Sequence, residues 1–254
     1  MLGNGVFNGM YNSATVWASD SSMYFDGVND VASLVGTEGS FDELFSSDGM
    51  TVSMWVRLST TDDCSFFQMW SRTTGRILFF WDASAQKVYL SRSDNNNQNT
   101  QTQSANLATN TIGSTNHCHL VFRISNGSIS IVVNSVLGES LVDTVPIWSV
   151  GGAYEIYFGA SKNTSNVFNK FSRGWIHDIT IWNTHLPTSA INEIYNQGLP
   201  NNVLELKDNN LEYYQTCSEK NFESETEPIP TVNNISPNNP VLSGAIISRH
   251  DQIS

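Results

Sequence analysis

Apolar and polar residues alternate with period two over several short stretches, and Gly, Asn, Asp and Ser separate the stretches. This is the pattern of β-strands joined by turns. Over residues 51–58, Val52, Met54, Val56 and Leu58 share one face while Thr51, Ser53, Trp55 and Arg57 share the other. Eight residues of strict alternation predict a strand with one face on a core. Residues 117–124 repeat the pattern with Cys118, Leu120, Phe122 and Ile124 inward. Asn126–Gly127 follows, and then Ile129, Ile131 and Val133 alternate with Ser128 and Ser130, which predicts a tight hairpin. Further strands are predicted at 22–26, 66–71, 77–81, 87–91 and 154–159. Ile176, Ile179 and Ile181 cannot all face one side at period two, so burying all three requires a β-bulge at 177–178 that re-aims Asp178.

Helical signals are sparse. One very short helix is predicted at 41–45. A second is predicted at 189–196, with Pro187 ahead of it, Thr188 or Ser189 as N-cap and Gly198 just past its end. Ile191, Ile194 and Tyr195 give that helix one apolar stripe. Residues 94–110, rich in Asn, Gln and Thr, read as an exposed loop. Beyond Gly198 no periodicity is sustained. The chain therefore divides into an N-terminal segment (1–21), a strand-rich domain (22–198) and an acidic, Pro/Asn-rich C-terminal arm (199–254).

Composition narrows the class. The 254 residues carry 12 Lys+Arg against 24 Asp+Glu, a formal net charge of −12, and only 14% are charged. Asn, Ser and Thr supply the polarity instead, which fits a turn-rich β protein and argues against a helical bundle. Much of the acid lies between Glu205 and Glu227, in the arm, so the strand-rich domain is closer to neutral. An acidic chain lacks the basic face that nucleic acid or an anionic membrane needs. No apolar run approaches the roughly 20 residues of a membrane helix. Met1 to Thr15 shows neither a basic n-region nor an apolar h-region, so no secretory signal is expected. Cys64, Cys118 and Cys217 are odd in number and lack CxxC spacing, which disfavours a disulfide framework or a zinc site.

Several segments, in order, resemble the laminin-G-like branch of the concanavalin-A-like lectin/glucanase superfamily. Ser22-Met-Tyr-Phe-Asp-Gly-Val-Asn-Asp30 is similar to the family's opening strand, and Met50-Thr-Val-Ser-Met-Trp-Val56 to its strand ending in aromatic-Val. His119-Leu-Val-Phe122 followed by Gly127 to Asn134 resembles the central hairpin, and Tyr157-Phe-Gly159 stands where the family has Ile-Gly. Gly174-Trp-Ile-His-Asp-Ile-Thr-Ile-Trp-Asn183, followed by Leu186 and Ile191–Tyr195, resembles the closing signature. The resemblance covers about residues 20–198. It implies an all-β fold: a two-sheet antiparallel β-sandwich of the jelly-roll type, with one short C-terminal helix and an extended C-terminal arm. Stacking two sheets also follows from the strands, since a single sheet of this size would leave an apolar face wet.

The resemblance implies a calcium ion at the sandwich edge, a hard cation that takes six to eight oxygens. Asp26 and Asp30 in the opening turn and Asp178 at the bulge are the candidate ligands; His177 stands where the family's first acid is expected. His117 and His119 share a strand face as a metal pair does, but no third ligand is near them in sequence. Glycan recognition would use aromatic rings stacked on sugar faces, with Trp55, Trp70, Trp81 and Trp175 as candidates. Glucanase members place carboxylates in an alternating Glu-x-Asp-x-x-Glu run, because retaining chemistry needs two about 5–5.5 Å apart. No such run occurs in the sequence, nor does a nucleophile elbow or a phosphate loop, so no enzyme activity is expected.

Two functions are expected on these grounds. The first is a non-catalytic structural protein of a virion, such as a bacteriophage capsid decoration or a head or tail accessory subunit. It would be made in the host cytoplasm without a signal peptide and would contact other shell subunits through the arm, in a homo-oligomer or larger assembly. The alternative is a carbohydrate-binding lectin or adhesion module that reads a cell-surface glycan. An arm without its own core is expected to lie on a neighbouring subunit; wrapping its own sandwich is the other option.

Overall fold

The computed structural model describes residues 23–35, 49–59, 61–71, 75–94, 99–103, 117–125, 127–143, 155–196, 210–216, 233–235 and 246–249. Chain order gives β1 (Met23–Asp26), β2 (Ala32–Val35), β3 (Met50–Leu58), β4 (Cys64–Ser71), β5 (Gly75–Asp82), β6 (Lys87–Asp94), β7 (Asn99–Gln103), β8 (Cys118–Ser125) and β9 (Ser128–Val133). Then come β10 (Val136–Val142), β11 (Glu155–Phe158), β12 (Ser161–Lys162), β13 (Phe168–Asn169) and β14 (Arg173–Trp182). The helix α1 (Thr188–Tyr195) precedes β15 (Leu211–Thr216), β16 (Asn233–Ile235) and β17 (Ile246–Arg249).

Two large antiparallel sheets form the sandwich expected from the sequence. Sheet A runs β10-β9-β8-β3-β14-β15-β16, with β1 also paired to β14; sheet B runs β17-β2-β11-β4-β5-β6-β7. On one edge of β14, β1 covers the first half (Met23 opposite Ile176) and β15 the second (Ile179 opposite Gln215). The predicted hairpin joins β8 to β9, with Ser125 opposite Ser128. Between the sheets, Met54, Val56, Phe122, Ile131, Ile176 and Ile181 from sheet A meet Phe67, Met69, Ile77, Phe79, Leu90 and Phe158 from sheet B. Phe122 lies 5.2 Å from Phe67 and 5.1 Å from Phe79 between ring centroids. Burying each such side chain contributes about 1.5–3 kcal/mol.

The bulge in β14 is present. Its register against β3 shifts between His177 and Thr180, and Asp178 has φ of +47°. Ile176, Ile179 and Ile181 all enter the core as a result.

Three expectations change. The polar tract at 94–110 contains a strand, β7, paired to β6. Its sequence, Asn-Thr-Gln-Thr-Gln, has no apolar residue to reveal a period, and its Thr residues suit an edge strand. The helix begins at Thr188 with Pro187 in the N-cap position and no side-chain cap, and it ends at Asn196 in the left-handed region (φ 41°) rather than at Gly198. Asn tolerates that conformation better than most residues. Residues 211–216 form a strand of their own chain's sheet A, and β16 and β17 pair with β15 and β2. These stretches therefore wrap their own sandwich instead of projecting from it. The short helix expected at 41–45 lies outside the described residues.

Strand β3 is buried on both faces, although its alternation predicted only one. The second face lies under α1, whose Ile191 and Ile194 pack with Val121, Val132, Trp182, Leu186 and Leu211. Polar side chains of the sheet hold the approach to the helix. The Thr51 hydroxyl donates to Thr184 O (2.7 Å) and accepts from Leu186 N–H (2.9 Å). Arg123 donates to Leu186 O at 3.1 Å and to Ser130 Oγ at 3.1 Å.

Candidate functional site

The outer face of sheet A carries the richest chemistry among the described residues. The registers align side chains in rows across the strands: His177, Trp55 and His119 form one row, and Tyr24, Trp175 and Arg57 the next. The first row lies beneath the end of α1. Trp55 is 2% exposed, with its ring 4.9 Å from His119, 6.5 Å from His177 and 5.9 Å from Tyr195. It is a core residue of the helix–sheet interface and not a surface platform for sugar.

The histidines form two hydrogen-bonded sets. His177 Nδ1–H donates to Asp178 Oδ2 at 2.7 Å, so its Nε2 lone pair accepts from His117 Nδ1–H at 2.8 Å. His119 Nε2 meets Ser53 Oγ at 2.7 Å, and its Nδ1 is buried without a hydrogen-bond partner among the described residues. An unpartnered buried acceptor is cheaper than an unpartnered donor, so the ring proton sits on Nε2. His117 and His119 thus turn to different partners and do not form a metal pair.

Burial pushes His119 down to about 3, with His177 adding to the effect; burial, His177 and Arg57 do the same for His117. Both stay neutral in the folded protein while the unfolded chain protonates them below about pH 6.5. The unfolded state then binds more protons, so stability is full above that pH and falls as pH drops from about 6.5 towards 3. His185, also lowered by burial, acts in the same direction. His119 alone contributes a slope of about 1.4 kcal/mol per pH unit in this window. Urea denaturation between pH 7.5 and 5 should show a steady fall, and His119→Gln should flatten it. A profile level down to pH 5 would contradict the buried neutral histidines.

The second row is only partly covered. Tyr24 and Trp175 are half-buried, with rings 4.9 Å apart and tilted by 58°, and the Arg57 guanidinium lies 4.5 Å from the Trp175 ring centroid. Arg173 is exposed at the end of the same strand face.

The other candidates are scattered. Trp81 is 4% exposed and belongs to the inter-sheet core, as the parity of Ile77, Phe79 and Trp81 along β5 dictates. Trp70 is half-buried on the outer face of sheet B. There the β12–β13 hairpin docks through Gln68, whose amide pairs with both Lys162 N–H (2.6 Å) and Lys162 O (2.9 Å). The Lys162 ammonium lies 5.8 Å from the Trp70 ring, 4.6 Å from Tyr157 and 5.1 Å from Phe168, and pairs with Glu155 at 3.2 Å.

The three carboxylates proposed for calcium do not converge. Asp26 Oδ1 accepts from Val28 and Asn29 N–H, and Asp30 Oδ2 accepts from Asp26 N–H, so both shape the opening turn. Asp26 lies opposite Arg173, while Asp178 stands five residues further along β14, on the order of 15 Å away. Among the described residues no group of three His, Cys, Asp or Glu side chains is placed to hold a metal ion. The family resemblance suggested these ligands from their places in the opening turn and at the bulge; the strand register separates Asp178 from the other two.

Cys64 and Cys118 are free and buried, and burial raises both thiols, Cys64 to about 12. They pack as small apolar groups.

The fold and site define a two-sheet jelly roll with aromatic and cationic side chains on its outer faces, a lectin-like class of domain. The chain belongs to the concanavalin A-like lectin/glucanase superfamily: the laminin-G-type sequence profile of that family matches residues 26–192. Comparison with curated proteins finds no match. Among solved structures, the chain is similar to a native heptameric SAP-like pentraxin from Limulus polyphemus, with TM-score 0.53, 12% identity, and coverage of 69% of this chain and 81% of the pentraxin. It is also similar to the receptor-binding domain of botulinum neurotoxin mosaic serotype C/D, with TM-score 0.54, 16% identity, and coverage of 70% of this chain and 42% of the toxin domain. The serotype D binding domain gives TM-score 0.52 at 15% identity, covering 70% of this chain and 43% of that domain. The chain thus spans less than half of each toxin domain, and at these identities the likeness is one of fold.

Proposed function

We propose that the protein is a non-catalytic recognition module whose ligand is a carbohydrate. The observation that carries this reading is the aromatic and cationic row Tyr24–Trp175–Arg57 on the outer face of sheet A, left half-exposed where α1 ends. Partly exposed indole beside hydrogen-bonding side chains is the surface that sugar rings bind. The non-catalytic character is supported by the strands themselves, since no described strand carries more than one acidic residue. Retaining hydrolysis needs a pair of carboxylates held close together. A glycan array probed with the full-length protein, with and without calcium, tests the reading; silence on every glycan in both conditions refutes it.

A specific observation also favours the virion-subunit reading. Strand β10 ends sheet A with Val136, Leu137 and Val142 exposed at 62%, 47% and 75%. An apolar edge strand is a template for pairing with another chain. Such a subunit co-purifies with particles, so mass spectrometry of purified virions from the source culture decides this reading.

A further inference from the structure

We infer that α1 is an acid-released cover on the outer face of sheet A: when the imidazole beneath its last turn takes up a proton, the helix leaves the sheet while the sandwich stays folded. This goes beyond the carbohydrate reading and does not depend on it.

The two ends of α1 are held by different chemistry. At its start, Arg123 donates to Leu186 O (3.1 Å) and Thr188 Oγ1 (3.4 Å), and Thr51 Oγ1 accepts from Leu186 N–H. At its end, the Tyr195 ring stacks on Trp55 (5.9 Å, 15°) and on His119 (5.9 Å, 20°), and the Ser135 hydroxyl donates to Asn192 Oδ1. Between these ends only Ile191 and Ile194 are buried. A helix of eight residues does not persist without tertiary support, so leaving the sheet melts it. It therefore opens more readily than β5, which is paired along its length to β4 on one side and β6 on the other. Opening bares Val121, Val132 and Trp182.

His119 is where a proton does most damage. The residue is fully buried, its Nε2 is bonded to Ser53 Oγ, and its Nδ1 is enclosed without an acceptor among the described residues. A proton on Nδ1 creates a desolvated charge against the Trp55 and Tyr195 rings. The surrounding groups do not compensate it. From β14 comes His177, whose Nδ1–H is bonded to Asp178; from β3 comes Arg57, and from β8 itself come His117 and Arg123. The helix adds the Tyr195 phenol and Glu193, which is exposed. Among the described residues no carboxylate is paired with His119. Letting water reach Nδ1 relieves the charge, and Tyr195 is the helix side chain stacked on that ring. Burial and His177 hold the docked imidazole down at about 3, whereas a released one protonates below about pH 6.5. Docking is therefore unimpaired above that pH and weakens as pH falls from there towards 3, with the opening constant rising about tenfold per pH unit.

The test is hydrogen–deuterium exchange of the full-length protein between pH 7.5 and 5, read by mass spectrometry as protection relative to the intrinsic rate at each pH. Peptides covering α1 should lose protection about thirtyfold over this range, while peptides covering β5 keep theirs. The loss should reverse on returning to pH 7.5. His119→Gln keeps a donor for Ser53 and cannot titrate, so it should hold the protection of α1 level. His185→Gln, ahead of the helix and close to Arg123, should leave the fall in place. Protection of α1 that stays constant down to pH 5 overturns the inference. So does equal loss in α1 and β5 at the same pH, which is unfolding of the whole sandwich. A fall that persists in folded His119→Gln, or disappears in His185→Gln, overturns it as well, by placing the sensitivity elsewhere. If His119→Gln fails to fold, the comparison of α1 with β5 in the unaltered protein and in His185→Gln decides the matter.

Discussion

Replacing Asp143 by Ala is expected to destabilise the protein by about 3–5 kcal/mol, a large share of the 5–15 kcal/mol that holds a typical domain folded. Arg92 lies on β6 at the same parity as Val88 and Leu90, both fully buried, and is itself 1% exposed. It therefore points into the space between the sheets. Its partner Asp143, just beyond β10 of sheet A, has a fully buried side chain in direct contact with the guanidinium. The pair joins the two sheets near an open edge of the sandwich. Truncating the aspartate leaves a guanidinium in a low-dielectric interior without its counter-charge, and that desolvated charge is the source of the loss. In thermal unfolding the effect amounts to roughly 6–20 °C for a chain of this size. The double variant Arg92→Met/Asp143→Leu should recover most of the stability, because it removes both charges and keeps the volume. A loss below about 1 kcal/mol for Asp143→Ala would show that water reaches the pair.

Trp55→Ala is expected to cost a similar amount, about 3–5 kcal/mol. The indole fills the space between sheet A and the last turn of α1, and it packs against His119, His177 and Tyr195 together. Its removal opens a cavity that β3, β8 and β14 cannot close, because each is held by its neighbours in the sheet. Urea denaturation gives the size of the loss, and the near-ultraviolet circular dichroism of the aromatic cluster should collapse with it. Trp55→Phe should keep the fold at a smaller cost and retain glycan binding. Loss of binding in a folded Trp55→Phe protein would return Trp55 to the surface role that its position in the alternation first suggested.

That contrast shows where the reading of the sequence ends. The alternation in β3 and β8 correctly assigned their inward faces, and the parity conflict among Ile176, Ile179 and Ile181 correctly located the bulge. Both are local consequences of the two-residue repeat of a strand. The same repeat assigned Trp55 to a polar face beside Thr51, Ser53 and Arg57. It could not register that a helix more than 130 residues later covers half of that face and leaves the other half, with Trp175, open. Arg92 escaped notice for a related reason: a charged residue in an apolar position reads as a break in the pattern until its buried partner, distant in sequence, is in view.

The candidate ligands separate in the same way. Asp26, Asp30 and Asp178 shared a chemical type, and the register of β1 on β14 sets Asp178 apart from the other two. The polar sequence of β7 carried no apolar period, so its place at the edge of sheet B depended on strands already in position.

The amino-acid sequence by itself determined the strand-rich architecture, the inward face of each apolar strand, the bulge in β14 and the membership of the concanavalin A-like superfamily. These follow from hydrophobic periodicity, which acts over a few residues. The tertiary structure alone decided which outer faces are covered, which carboxylates meet, and that an arginine stacks on a half-exposed tryptophan. Those properties arise from pairings between residues far apart in the chain, and register and packing, not local pattern, set them.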